Sequence, residues 1–105
     1  MQLFFRQIGA GRPIIILHGL FGSADNWLTI SKVIADNGFS VYTVDQRNHG
    51  RSPQVPTHSY PELADDLYDF IQQQDLEKPI LIGHSMGGKT VMQYAMQYPG
   101  TFSHL

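Results

Sequence analysis

Residues 79–95 read PILIGHSMGGKTVMQYA, and the way that stretch parses decides the fold. Ile80, Leu81 and Ile82 make a short apolar run between Pro79 and Gly83. A run with no polar alternation is what a strand covered on both faces of a parallel sheet requires. Beyond Ser85 the apolar positions Val91, Met92, Ala95 and Tyr98 recur at helical spacing until Pro99-Gly100 stops them. A buried strand therefore becomes a helix across GHSMGG, residues 83–88. A serine in so tight a turn is held at strained backbone angles with its hydroxyl above the sheet. Side chains beside it would collide with the neighbouring strand or helix; Gly83 and Gly87 remove them, and Gly88 lets the helix start close to the sheet. Free N–H groups and the positive dipole end of the helix then face any developing oxyanion. Ser85 is the candidate nucleophile, and the Met86 N–H, the next amide, is the first oxyanion donor.

Working outward, LFFRQIG (3–9) predicts a short strand and PIIILHG (13–19) a second buried one. Residues 23–37 predict a helix, capped by Ser23 or Asp25, ended by Asn37-Gly38, with Trp27, Ile30, Val33 and Ile34 as its apolar stripe. FSVYTVD (39–45) is a β-branched strand. After the polar loop QRNHGRSPQVPTHS (46–59), Ser59 and Glu62 form a capping box for a helix that buries Leu63, Leu67, Phe70 and Ile71. Alternating strands and helices imply right-handed crossovers and a mainly parallel sheet with helices on its faces, an α/β fold. Chemistry in such sheets gathers at the carboxyl ends of the strands. Three segments meet there: HGLFG (18–22), DQRNHGRS (45–52) and GHSMGG. In the first, the Leu20 N–H is the best second oxyanion donor. The Phe21 N–H is the next choice, and the Phe21 ring is placed to line an acyl pocket.

The chain has 105 residues, room for one small domain. Its formal net charge is −2 without a basic run, which argues against nucleic acid and against a charged membrane surface as partners. The longest apolar run, PIIIL, is far too short to span a bilayer. MQLFFRQIGAGRP lacks the apolar core of a signal peptide. With no cysteine there is no disulfide, thiol nucleophile or cysteine metal site, and a reducing, cytoplasmic setting is the expectation.

IIILHGLFGSADNW, VYTVDQRNHGRSP, YPELADDLYDFI and PILIGHSMGGKTVMQYA, in that order, resemble the α/β-hydrolase superfamily. The finer wording is similar to a narrower group of small bacterial esterases, acyl-CoA thioesterases and related mitochondrial hydrolases. The resemblance implies Ser85 as nucleophile and the Leu20 and Met86 amides as oxyanion hole. It implies short-to-medium acyl esters or thioesters as substrates, and no metal or organic cofactor. Serine at the elbow argues against haloalkane dehalogenases and epoxide hydrolases of this superfamily, which carry aspartate there.

A serine hydroxyl needs a general base, and the base an orienting carboxylate. In this fold the order is Ser, acid, His. After Ser85 there is no Asp or Glu, and His104 is the only histidine. A helix over 86–98 carries the chain about 18 Å away, so His104 falls at the wrong end of the sheet. Upstream, His84 points away from Oγ, His18 braces its loop, His49 braces the 45–52 loop with Arg47 and Asp45 as candidate partners, and His58 is solvated. Asp45 reads as structural and Lys89 as a surface contact. Trp27, Phe70 and Met92 read as core, and Asp65, Asp66 and Asp69 as a solvated helix face. The expectation is that residues 1–105 are the N-terminal portion of a single α/β-hydrolase domain, near-inactive alone, with the triad acid and His not in this chain. The far edge of strand 80–83 is then unpaired, a route to self-association. The alternative is a non-catalytic binding module or partner-dependent subunit using the same cleft.

Overall fold

The computed structural model describes residues 2–19 and 27–105. Its elements are β1 (Phe5–Ile8), β2 (Arg12–Leu17), α1 (Leu28–Ala35), β3 (Phe39–Val44), α2 (Tyr60–Gln73), β4 (Ile80–Gly83) and α3 (Met86–Gln97). The strand order is β1-β3-β2-β4, with β1 antiparallel to β3 and the other neighbours parallel. The expected α/β architecture is present, with one antiparallel strand at its edge.

The two-residue period of the strands sorts the core into two layers. Ile15 and Leu17 of β2, Val44 of β3 and Leu81 of β4 point to one face, where Ala64, Leu67, Phe70 and Ile71 of α2 and Val91 and Tyr94 of α3 cover them. Ile14, Ile16 and Val41 point to the other, packed by Trp27, Ile34 and Ala35. Each fully buried aliphatic or aromatic side chain stabilises the fold by about 1.5–3 kcal/mol relative to exposure. The chain leaves β2 through α1 towards β3, then recrosses through α2 to reach β4 on the other side of β2. Connections from β2 and β4 thus diverge over opposite faces, and a crevice opens between their carboxyl ends, where Leu17 and Gly83 are partners in register.

Several expectations are corrected. Helix α1 turns inward through Trp27, Ser31, Ile34 and Ala35, while Ile30 and Val33 are 50% and 60% exposed. The face follows i, i+4, i+7 and i+8 from Trp27, one position off the predicted stripe. Ser31 is tolerated inside because its hydroxyl donates to the Trp27 carbonyl at 2.8 Å. The predicted caps Ser23 and Asp25 lie outside the described residues. Gly38 does end α1, with φ 93°. On α3 the inward positions are Met86, Gly87, Thr90, Val91 and Tyr94, and Met92 is 64% exposed, not core. On α2 Ser59 caps the helix: its Oγ accepts from the Glu62 amide at 3.4 Å and donates to Glu62 Oε1 at 2.8 Å. Asp66, expected on a solvated face, is buried among Leu63, Leu67 and Phe70.

The far edge of β4 is partly paired. After the Pro99-Gly100 turn the chain returns beside it: Ser103 N–H donates to the Pro79 carbonyl at 3.1 Å, and Leu81 N–H to the His104 carbonyl at 2.9 Å. Ile80 and His104 form a parallel bridge. The expectation of an edge with no partner fails at its amino-terminal end, because the positive φ of Gly100 reverses the chain there.

Candidate active site

Ser85 lies between β4 and α3 at φ 55°, ψ −113°, with its side chain exposed. A non-glycine residue in that region costs on the order of 1–3 kcal/mol and persists only where its surroundings enforce it. Two glycines do so. A Cβ on Gly83 would lie 2.3 Å from the Gly87 carbonyl oxygen, and one on Gly87 would lie 2.2 Å from the Leu17 carbonyl oxygen. At Gly88 the nearest atom would be 3.4 Å away, an ordinary contact, so close packing does not require that third glycine. Ser85 accepts the first helical bond, from the Lys89 N–H at 3.1 Å. Met86 heads the helix, and its amide is one of the first-turn donors without an intrahelical acceptor.

The exit of β2 abuts this elbow. His84 N–H donates to the Leu17 carbonyl at 3.1 Å, and a Cβ on Gly19 would lie 3.2 Å from Ser85 Cβ. The His84 ring is exposed and meets Trp27 edge-on at 5.8 Å, a packing role. His18 is buried, and its Nε2 accepts the Gln46 backbone N–H at 2.9 Å. An amide only donates, so the proton sits on Nδ1 and is donated to the Gly19 carbonyl at 2.7 Å. Burial is the main cause that lowers the His18 pKa below 6.5; the Gly19 bond opposes it, nearby His49 adds to it, and Asp45 opposes it. Bracing of this loop by His18 is thus visible, while Leu20 and Phe21 lie outside the described residues.

The partner of His18 was not anticipated. Gln46 Nε2 donates to the His18 carbonyl at 3.1 Å, and its Oε1 accepts from Thr90 Oγ1 at 2.8 Å. One buried side chain thereby joins the exits of β2 and β3 to helix α3. The only sequence signal was a polar residue directly after a buried strand. Asp45 is structural: its carboxylate accepts the Arg51 N–H at 2.9 Å and its carbonyl accepts from Ser52 Oγ at 2.5 Å. His49 braces the same loop, with Nδ1 3.0 Å from the Arg47 carbonyl.

Arg47 organises the far wall. Its Nε and Nη2 grip the two Asp66 oxygens at 2.6 and 2.9 Å. Nη1 reaches Glu62 Oε2 and Thr57 Oγ1, both at 3.0 Å. The Asp66 hydrogen bond is the main cause that raises the Arg47 pKa. The Thr57 hydroxyl, then the Ser59 hydroxyl, hold the Glu62 carboxyl below its ordinary range. These bonds pin the 57–59 segment to α2 and set His58, Ser59 and Tyr60 beside the serine. A cleft of about 300 Å³ results, lined by those three residues with Leu63, Ser85, Met86 and Lys89. His58, expected in solvent, is exposed but borders this cleft.

His104 pairs with Ile80 at the amino end of β4, whereas Ser85 follows its carboxyl end. At about 3.3 Å per residue the strand separates the two by more than 10 Å. Among the described residues no group of three or more His, Asp or Glu could hold a metal ion, and no helix is long and apolar enough to cross a membrane.

Residues 12–105 match the model of a family described as alpha/beta hydrolase fold. The esterase YbfF of Escherichia coli K12 is 48% identical over 80 residues, 76% of this chain and 31% of that protein. The sn-1-specific diacylglycerol lipase ABHD11 of Xenopus laevis is 44% identical over 90 residues, 85% of this chain and 29% of that protein. Among solved structures, a marine microorganism esterase superposes with a TM-score of 0.94 at 51% identity, covering 97% of this chain and 39% of the other. The chain therefore spans about a third of the length of the relatives it matches.

Proposed function

The chain belongs to the α/β-hydrolase fold family, and from that membership we propose that it carries the nucleophile portion of a serine hydrolase acting on carboxylic esters or thioesters. The observation that carries the reading is Ser85 held at φ 55° at the head of α3 and opening onto a cleft. Ser85 Oγ adds to the acyl carbonyl as its proton passes to a base. The Met86 and Leu20 amides stabilise the tetrahedral oxyanion. Collapse expels the alcohol or thiol, and water then releases the acid from the acyl-serine. Phe21 contacts the acyl chain, and no cofactor takes part. Residues 1–105 are on this reading the N-terminal portion of one α/β-hydrolase domain, and the triad acid and histidine stand outside them.

Among the described residues no histidine hydrogen-bonds the Ser85 hydroxyl, which supports near-inactivity of the 105-residue chain by itself. Hydrolysis of p-nitrophenyl butyrate tests this. The expected rate is close to background; robust turnover lost in Ser85→Ala would overturn the inactivity claim and require a base within the chain. The same lack of a base keeps a second reading, a binding module that uses the cleft without turnover. Labelling of Ser85 by a fluorophosphonate probe favours the hydrolase over the binder.

A further inference from the structure

Among the described residues the cleft beside Ser85 has one sign of charge. Among the described residues its lining contains the Lys89 ammonium and the His58 imidazole but no carboxylate. The first three acidic groups after His58 are engaged elsewhere: Glu62 with Arg47, Thr57 and Ser59, Asp66 with Arg47, and Asp65 with Gln97 and Tyr98. Among the described residues Lys89 forms no ion pair; its ammonium lies 6.0 Å from the centre of the Tyr60 ring, at the cleft wall. Helical side chains lean towards the helix N-terminus, so Lys89, four residues past Ser85, leans towards the serine's rim. No acidic residue in the first turn of α3 offsets this charge. His58 adds a donor: its Nδ1 faces the Asn48 amide nitrogen at 3.4 Å, which leaves Nε2 to carry the proton. An exposed cation next to a nucleophile, held against a ring and with no counter-ion among the described residues, is available to pair with an anionic ligand.

We propose that this cleft selects esters or thioesters bearing a carboxylate a few bonds from the scissile carbonyl, with Lys89 as the residue that recognises it. The inference rests on the esterase reading of Ser85 and deepens it from acyl esters in general to half-esters of short dicarboxylic acids. Lys89 acts on specificity and touches no reacting atom.

Binding by the 105-residue chain tests the proposal without turnover. Amide shifts of the labelled chain are followed by NMR during titration with monomethyl glutarate, which is anionic, and with dimethyl glutarate, which is neutral. The half-ester should bind about three- to fivefold more tightly at low salt, the range an exposed ion pair supplies. Lys89→Met should abolish the preference, Lys89→Arg should keep it and Lys89→Glu should invert it. Equal affinities, a preference that survives in Lys89→Met, or no saturable shift near Ser85 with either ester would each overturn the proposal. The two readings fail separately. Discrimination that persists without fluorophosphonate labelling supports the carboxylate-selecting cleft and favours its use by the binding module; labelling without discrimination removes only the role of Lys89.

Discussion

Ser85 holds a backbone conformation that its side chain opposes, and the close backbone packing that Gly83 and Gly87 permit is what enforces it. Ser85→Gly should therefore stabilise the chain by about 1 kcal/mol in urea unfolding, after the larger unfolded-state freedom of glycine is subtracted. Gly83→Ala or Gly87→Ala should each cost about 2–3 kcal/mol, since the new methyl meets backbone and not a movable side-chain end. Gly88→Ala should be neutral or mildly stabilising, because alanine prefers the helix and finds room. His18 adds a pH signature. Its folded pKa lies below 6.5, so above that value it is neutral in both states and its contribution is complete. As the pH falls through 6.5 the unfolded chain takes up a proton that the folded one refuses, and stability declines until the folded pKa is passed. The urea midpoint should fall more steeply on mild acidification in the parent chain than in His18→Gln, and the His18 ring signal should titrate below 6.5 by NMR.

At the level of elements, the Arg47–Asp66 pair fastens the loop after β3 to α2. The two side chains are 10% and 5% exposed, so neither charge is solvated if the other leaves. Asp66→Ala should cost about 3 kcal/mol, at the lower end for a broken buried pair because Glu62 still contacts Arg47. Arg47→Met combined with Asp66→Leu should cost clearly less than the sum of the two single changes, and a double-mutant cycle in urea measures the difference. Asp66 shows the limit of helical periodicity. Three aspartates on one helix read as a solvated face, and periodicity carries no sign of the arginine, 19 residues earlier, that buries one of them. Gln46 is similar: nothing local to it indicates that its amide spans from His18 to Thr90.

For the molecule as a whole, β1 and β4 are the two edge strands of the sheet, and beyond β4, among the described residues, lies only the isolated bridge from Ile80 to His104. A groove of about 360 Å³ runs along that edge, lined by Leu81, Ile82, Gly83, Gly88, Val91, Met92 and Leu105. Met96, 72% exposed, extends the apolar surface along α3. Apolar edges of this kind invite pairing with a second chain. Sedimentation velocity should show concentration-dependent self-association, relieved by Met92→Glu with Met96→Glu, which add charge without touching the buried face of α3. A monodisperse monomer at high concentration would contradict this.

The amino-acid sequence by itself determined the α/β class, the strand-to-helix elbow at Ser85, the helix cap at Ser59 and the glycine stops. Each rests on a two-residue or helical period, or on a side chain that one backbone conformation excludes, and those are local causes. Tertiary structure alone decided the inward face of α1, the burial of Asp66, the Gln46 clamp, the return of His104 along β4 and the cleft that unites His58 with Lys89. Those depend on which segments meet, and partners far apart in sequence leave no periodic trace in the chain.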